Sequence, residues 1–381
     1  QQEKAKKAGL GGGTSAVSDI IKQVASKYSS EFNGYEASEL EGTVLAIVSG
    51  GKEIESAKSG DDVEIILDVS PFYPEGGGQT GDAGIIRSEG GMMIEISNAY
   101  RAEESIIHRG RVAGGTVKRG MKVCSAIDKS KRMATERNHT ATHLLHKALQ
   151  EVLGPHARQA GSSVTPDGLR FDFTHFGQVT PDELKRVSEI VNTVIYDGRS
   201  VIKELKSQEE AVKGGATALF GEKYGETVRV VSVDDYSQEL CGGCHVDNTS
   251  QIGLFVILSE SGIASGVRRI EALTGLAANK YLMARSELAS AVQGFLKLQH
   301  AEEIPGRVEE LAEQLKEFER MVKSFKERQS VAEAMESVKA ARNINGANVI
   351  AVKFDGLGMD ELRNVVDTII DNMKGNGIVL A

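Results

Sequence analysis

Two short stretches carry the residues best suited to chemistry. Asn138-His139-Thr140-Ala141-Thr142-His143 reads as the middle of a helix. There, positions i and i+4 share one face about 6 Å apart along the axis, so His139 and His143 can turn two imidazoles toward one point. Much later, Cys241-Gly242-Gly243-Cys244-His245 offers thiolate and imidazole on a glycine turn. Sulfur beside imidazole suits zinc better than magnesium or calcium. For either stretch alone the plainer reading is the better one, solvated helix histidines or unrelated buried cysteines. Together they favour one zinc site. Which sulfur binds stays open, because Cys241 and Cys244 also have the C-x-x-C spacing of zinc ligands. His146, on the same side of the helix, is read as a residue at the rim of the site or just behind its ligands.

The elements that must position these groups are legible around them. A helix should run from an Asp128 cap to Leu153 and stop at Gly154-Pro155. Its apolar stripe, Ala141, Leu145, Ala148 and Val152, puts the two histidines at the border of the buried face. Before it, a short helix is predicted over 19–28. Short β-type runs follow at 43–48, 63–69, 85–86, 92–96, 105–108 and 122–127, each bounded by glycine or polar clusters. That pattern predicts a small barrel or closed sheet. Within it, Pro71-Phe72-Tyr73-Pro74-Glu75-Gly76-Gly77-Gly78-Gln79 is the densest turn. Its three glycines either let backbone amides, those of Gly77 and Gly78 among them, approach an anionic ligand or simply make a tight hairpin. No Lys-Ser or Lys-Thr follows, so it is not an ATPase phosphate loop.

After the long helix, 170–173 alternates like a strand, and Thr180-Pro181-Asp182-Glu183 has the form of a capping box for a helix to Asp197, with Gly198 as its stop. Strands at 200–205, 228–233, 252–258 and 267–272 complete an α+β layer. From Leu276 two apolar stripes, Ala277 to Leu298 and Val308 to Phe325, repeat at spacings of three and four around Ile304-Pro305-Gly306. They predict an antiparallel coiled-coil hairpin. A loop at 343–348 then leads to a partial α/β piece: strand 349–354, helix 359–373, strand 377–381. The fold class expected is therefore α+β, a small β-barrel and an α+β zinc-binding layer followed by a helical hairpin and an incomplete α/β domain.

Composition sets bounds. A chain of 381 residues needs two or three domains. The net charge of −9 argues against a nucleic-acid coat protein but leaves room for a local basic surface that holds one RNA. No apolar run reaches the eighteen or so residues of a membrane span, so no membrane is expected. Three cysteines make no disulfide framework and fit a reducing compartment, the cytoplasm or an organelle. Cys124 is read as a small buried strand residue. Residues 1–8 look like the tail of a helix and 9–13 like a glycine-rich joint, so the sequence reads as part of a longer protein.

The motifs, taken together, resemble the editing region of alanyl-tRNA synthetase and its free-standing relatives, the alanyl-editing proteins. The carriers are Phe72-Tyr73-Pro74-Glu75-Gly76-Gly77-Gly78-Gln79, His139-Thr140-Ala141-Thr142-His143-Leu144-Leu145, Leu169-Arg170-Phe171-Asp172-Phe173, Ala218-Leu219-Phe220-Gly221-Glu222-Lys223-Tyr224-Gly225, Cys241-Gly242-Gly243-Cys244-His245 and Gly266-Val267-Arg268-Arg269-Ile270-Glu271-Ala272. All six stand in family order within about residues 40–275. The resemblance implies a C-terminal fragment of such a synthetase, without its ATP-binding aminoacylation domain. It divides the chain into a linker and the end of a helical domain (1–30), the barrel (31–127), the metal-bearing editing core (128–275), the hairpin (276–343) and the start of a dimerisation and tRNA-binding domain (344–381).

It also implies one Zn2+ held by His139, His143, Cys241 and His245. Cys244 departs from the family, which commonly has threonine there. Ser70 replaces a threonine thought to sense the hydroxyl of a misattached serine. Gln79, Gln159 and Asp172 become candidates for orienting the ester or a water, and Gly77, Gly78 and Arg170 for contacting substrate. The implied reaction is hydrolysis of serine or glycine from the 3′ acceptor end of alanine tRNA, in a protein that is a homodimer at full length. Whether zinc activates water or only anchors substrate stays open. A metalloprotease would need glutamate after the first histidine, and Thr140 stands there. A non-catalytic, zinc-stabilised tRNA-binding module is the remaining alternative.

Overall fold

The computed structural model describes residues 17–217, 225–354 and 357–373. They fall into two units, one through Met283 and one from Ala284.

The first unit begins with a closed barrel. Strands β1 (Glu39–Ser49), β2 (Asp62–Leu67), β3 (Gly84–Arg87), β4 (Met93–Ala102), β5 (Ser105–Gly114) and β6 (Lys122–Ile127) pair in the order β6-β3-β4-β5-β2-β1. Pairing of Lys122 to Ala126 with Thr43 to Glu39 returns β6 to β1 and closes the ring. Alternate residues such as Val44, Ile65, Leu67, Ile86, Ile94, Ile106 and Val123 fill the interior. Strands β4 and β5 run well past the apolar cores that revealed them. Their later halves alternate with polar residues facing outward, and cross-strand pairs such as Glu64 with Arg109 (2.9 Å) hold them. Helix α1 (Asp19–Ala25), shorter than predicted, seats Ile21 and Val24 on the barrel's outer residues Ala46, Ile66 and Ile107. Cys124 corrects its sequence reading. It points outward and half-buried, its thiol donating to Glu39 at 2.7 Å.

Helix α2 (Lys129–Leu153) follows directly and has the predicted bounds. Asp128 accepts from the amides of Ser130 and Lys131, and Gly154, at φ 109, ends the helix. One turn in, Arg132 is buried against Asp82 and also donates to the carbonyls of Gly34 (2.7 Å) and Pro71 (3.1 Å). This ties the start of α2 to the barrel's glycine turn. The helix then packs on a four-stranded antiparallel sheet of β7 (Gln159–Thr165), β8 (Gly168–Thr174), β12 (Phe255–Ala264) and β13 (Val267–Thr274), in the order β7-β8-β13-β12. Helix α3 (Pro181–Asp197) has the predicted capping box, and its Gly198 stop stands at φ 65. A second antiparallel sheet joins β9 (Val201–Ser207), β10 (Thr227–Val233) and β11 (Ser237–Leu240), with the short helix α4 (Gln208–Lys213) beside it. Leu144, Leu145, Phe171, Phe173, Val191 and Ile270 share one core between helices and sheet.

Helix α5 (Gly275–Leu296) leads out of the first unit. The second contains α6 (Ile304–Lys339) and α7 (Met359–Asn372). Both heptad stretches are helical, yet their stripes lie open in this single chain: Leu288, Phe295, Phe318 and Phe325 are all exposed, Phe295 at 87%. The apolar packing of this unit is instead Ala334 of α6 against Val365 and Ile369 of α7. The segment read as a loop at 343–348 is a hairpin of β14 (Arg342–Ile344) and β15 (Ala347–Val349). Asn345 (φ 52) and Gly346 (φ 87) form the left-handed two-residue turn that such hairpins need. The strand predicted at 349–354 therefore ends at Val349, and the one at 377–381 lies outside the described residues.

Candidate metal centre

His139 and His143 leave the same face of α2, and the loop that follows β11 brings Cys241 and His245 up to them. All four are buried, and their ligand atoms lie within 4.8 Å of one another. The Cys241 sulfur stands 3.4 Å from Nε2 of His139 and 3.3 Å from Nε2 of His245. Ligands of a tetrahedral zinc stand about 3.5 Å from each other, given its usual bond lengths. Side chains distant in sequence fix the loop. Arg229 donates to the carbonyls of Cys241 (3.0 Å) and Gly243 (2.7 Å), its guanidinium lies 4.2 Å over the Tyr35 ring, and Tyr35 donates its hydroxyl proton to the Gly242 carbonyl at 2.5 Å. Gly243 must be glycine, since a Cβ there would run into the His139 ring.

Two of the three imidazoles, His139 and His245, are oriented through Nδ1. Nδ1 of His139 donates to Oε1 of Gln79 at 2.7 Å, and the same oxygen accepts from the Cys244 amide at 2.8 Å, which fixes the Gln79 amide's direction. Thr140 gives its hydroxyl proton to the Glu136 carbonyl (2.9 Å), so its oxygen accepts from Nδ1 of His245 (3.1 Å). Nδ1 of His143 stands 3.3 Å from the Glu239 carboxylate, outside hydrogen-bond alignment. Glu239 also accepts from Nδ1 of His146 at 2.8 Å. With Nδ1 of His139 and His245 so engaged, their Nε2 atoms turn inward as lone-pair donors. Burial lowers the pKa of all three histidines, for His139 and His245 well below the ordinary value, and so keeps them neutral. Three neutral imidazoles and one cysteine can hold a metal ion, and the set is compatible with zinc.

Comparison with known sequences finds two matching families. The family described as "tRNA synthetases class II (A)" matches residues 1–131. The one described as "Threonyl and Alanyl tRNA synthetase second additional domain" matches 228–271, the stretch that carries Cys241 and His245. Alanine--tRNA ligase of Clostridioides difficile (strain 630) is 45% identical across 100% of this chain, which covers 43% of that protein. Those of Geobacillus kaustophilus and Bacillus subtilis (strain 168) are 46% and 44% identical over 93% and 92% of the chain, each covered to 40%. The chain belongs to the alanyl-tRNA synthetase family. It spans about two-fifths of the length of these curated relatives.

Within this family member the remaining sequence-predicted residues occupy different surroundings. Cys244 is buried one step outside the cluster, and burial pushes its thiol up to about 11. His146 is buried behind the ligands, the second of its two expected places, bonded to Glu239 and Gln150. Gln79 sits between the glycine turn and His139, and its Nε2 is buried with no acceptor among the described residues. Gly77 and Gly78 stand at φ 57 and 80, and Gly78 lies against Ser162, whose hydroxyl is 3.4 Å from the Gln159 amide. Asp172 and Arg170 project from the face of β8 opposite Phe171 and Phe173. The Asp172 carboxylate is taken up by Arg269 at 2.7 and 2.9 Å, while Nε of Arg170 stands 3.9 Å from it and neither Nε nor Nη2 makes a hydrogen bond among the described residues. Ser70 is fully buried in the barrel, 2.7 Å from Nε2 of His108 and accepting from the Phe72 amide.

Sequence reasoning missed Tyr35, Arg229, Thr140 and Glu239. The first three have ordinary roles that only tertiary proximity creates. Glu239, two residues before Cys241 in a strand, carried a usable signal, since buried metal-binding histidines commonly need a carboxylate behind them.

Proposed function

We propose that this chain is the editing part of an alanyl-tRNA synthetase, hydrolysing the ester between a wrong amino acid, serine or glycine, and the 3′ end of alanine tRNA. The observation that carries the reading is the buried set of His139, His143, Cys241 and His245, with His139 and His245 oriented through Nδ1 and the imidazoles kept neutral. The relatives' name supplies the context. Alanine and serine differ by one hydroxyl, and a pocket that admits alanine rejects serine weakly, so a second, hydrolytic sieve is needed. A zinc held by these four residues would polarise the ester carbonyl, lower the pKa of a water, or anchor the substrate.

The chain's own groups do the positioning. Oε1 of Gln79 is spent on His139 and the Cys244 amide, which leaves Nε2 to donate to the ester oxygen or the seryl hydroxyl. Gln159 and Ser162 border the same glycine turn, and the amides of Gly77 and Gly78 face substrate. Ser70 shapes that turn through the Phe72 amide and so acts on hydroxyl selection from behind. Asp172 acts through Arg269, and Arg170 lies beside that pair, its Nε 3.9 Å from the Asp172 carboxylate. Ligation of alanine belongs to parts of the longer protein outside this chain.

A closed set of four protein ligands also fits a module in which zinc only stabilises an RNA-binding surface. Removing the metal separates the two. Loss of seryl-tRNA hydrolysis with circular dichroism unchanged, restored by zinc, supports the enzyme. Unfolding of a chain that never hydrolysed the ester supports the module.

A further inference from the structure

Beside the metal loop lies a cavity of about 320 Å3 lined by Phe32, Tyr35, Tyr73, Gly77, Arg101 and Gly242 among others. Three rings wall it. Phe32 stands edge-on to Tyr35, with centroids 4.9 Å apart, and to Tyr73 at 6.0 Å. Tyr73 is buried, whereas Tyr35 is 48% exposed. Opposite in character is Arg101 on β4, exposed and in no ion pair among the described residues. The third component is the glycine turn. Gly76 and Gln79 bond to each other across it (3.1 and 2.9 Å), while the amides of Gly77 and Gly78 donate to no acceptor among the described residues. Successive free amides of this kind form a concavity suited to an anion. Finally, Gly242 belongs both to the cavity wall and to the loop between Cys241 and Gly243, so whatever fills the cavity abuts the metal centre.

We propose that this cavity receives the 3′-terminal nucleotide of the RNA, with its base against the Phe32, Tyr35 and Tyr73 rings and its phosphodiester on Arg101 and the Gly77 amide. The inference rests on the deacylase reading, because it places the ribose that bears the ester between the rings and the metal loop. A serine or glycine side chain would leave most of such a cavity empty, and aromatic walls recognise the π-face that a nucleobase presents. The net charge of −9 gives the chain no general attraction for phosphate, so a local cation and free amides must supply it.

The test uses this chain and an RNA stem with a single-stranded 3′ end whose last adenine is replaced by 2-aminopurine, a base whose fluorescence falls on stacking. A Cβ on Gly242 meets no atom within 4 Å, and its φ lies outside the left-handed range, so Gly242→Trp fills the cavity without straining the loop. Arg101→Ala removes only the exposed cation. The wild-type chain should quench the fluorescence, and both variants should bind the RNA at least about tenfold more weakly. Both should also raise KM for the seryl-RNA while retaining bound zinc. Hydrolysis without quenching, at the same rate in Gly242→Trp, overturns the cavity and leaves the deacylase reading intact. Quenching lost in Gly242→Trp, in a chain that hydrolyses no ester, sinks the deacylase reading and upholds the cavity.

Discussion

Gln79 is the residue on which most of the centre converges, because one carbonyl oxygen restrains both the His139 ring and the loop amide of Cys244. Gln79→Ala should weaken zinc binding by about 10- to 100-fold, as losing a hydrogen-bonding partner of a ligand does; competition with a chelator measures it, and unchanged affinity would show that the Gln79 contact is idle. Cys244→Ala should leave zinc content as it is, since that sulfur lies outside the cluster. His108 makes a pH prediction of its own. Burial pushes it from the ordinary 6.5 down to about 4. The unfolded chain takes up that proton first, so stability is full above pH 6.5 and falls as pH drops toward 4, by about 3 kcal/mol for this one group. Urea titrations at pH 7 and pH 4.5 should differ less in His108→Gln than in the wild type; equal losses would mean that His108 does not titrate in this window. The sequence revealed the ligands by type and spacing, but not Arg229 or Thr140, whose roles come from neighbours far along the chain.

At the scale of elements, α2 matters because it belongs to two cores at once. Its first turn is bound to the barrel through Arg132 and its middle packs on Phe171. Removing one partner of a buried, hydrogen-bonded ion pair strands the other, so Arg132→Ala should destabilise the first unit by about 3–5 kcal/mol in urea unfolding. A loss below about 1 kcal/mol would mean that the barrel and helix do not depend on each other. The barrel was legible because alternation and glycine-bounded turns mark closed sheets, and α2 and α3 because Asp128, Thr180, Gly154 and Gly198 mark their ends. Strand ends were not, since the later halves of β4 and β5 lack the run of large aliphatic residues that marked their beginnings. The hairpin at Asn345-Gly346 was legible and misread: the turn type was present, but the flanking runs are too short and polar to look like strands.

At the scale of the whole chain, the candidate metal ligands among the described residues all lie in the first unit, where the barrel interior and the helix–sheet core are separate clusters. The heptad stripes were plain in the sequence, but what they pack against was not, because a repeat specifies a seam without naming its partner. In the proposed reading the exposed Phe318 and Phe325 belong to the face through which the full-length protein self-associates. Analytical ultracentrifugation of that protein at micromolar concentration should give a dimer, weakened by Phe318→Ser with Phe325→Ser; a monomeric wild type would contradict this. The claim on which the account depends is that Cys241 helps hold a catalytic metal. Single-turnover hydrolysis of seryl-tRNA by this chain, measured together with bound zinc in the wild type and in Cys241→Ala, tests it most directly. The account predicts hydrolysis by the wild type and, in the folded variant, loss of both metal and activity. Full zinc and full activity in Cys241→Ala would contradict it.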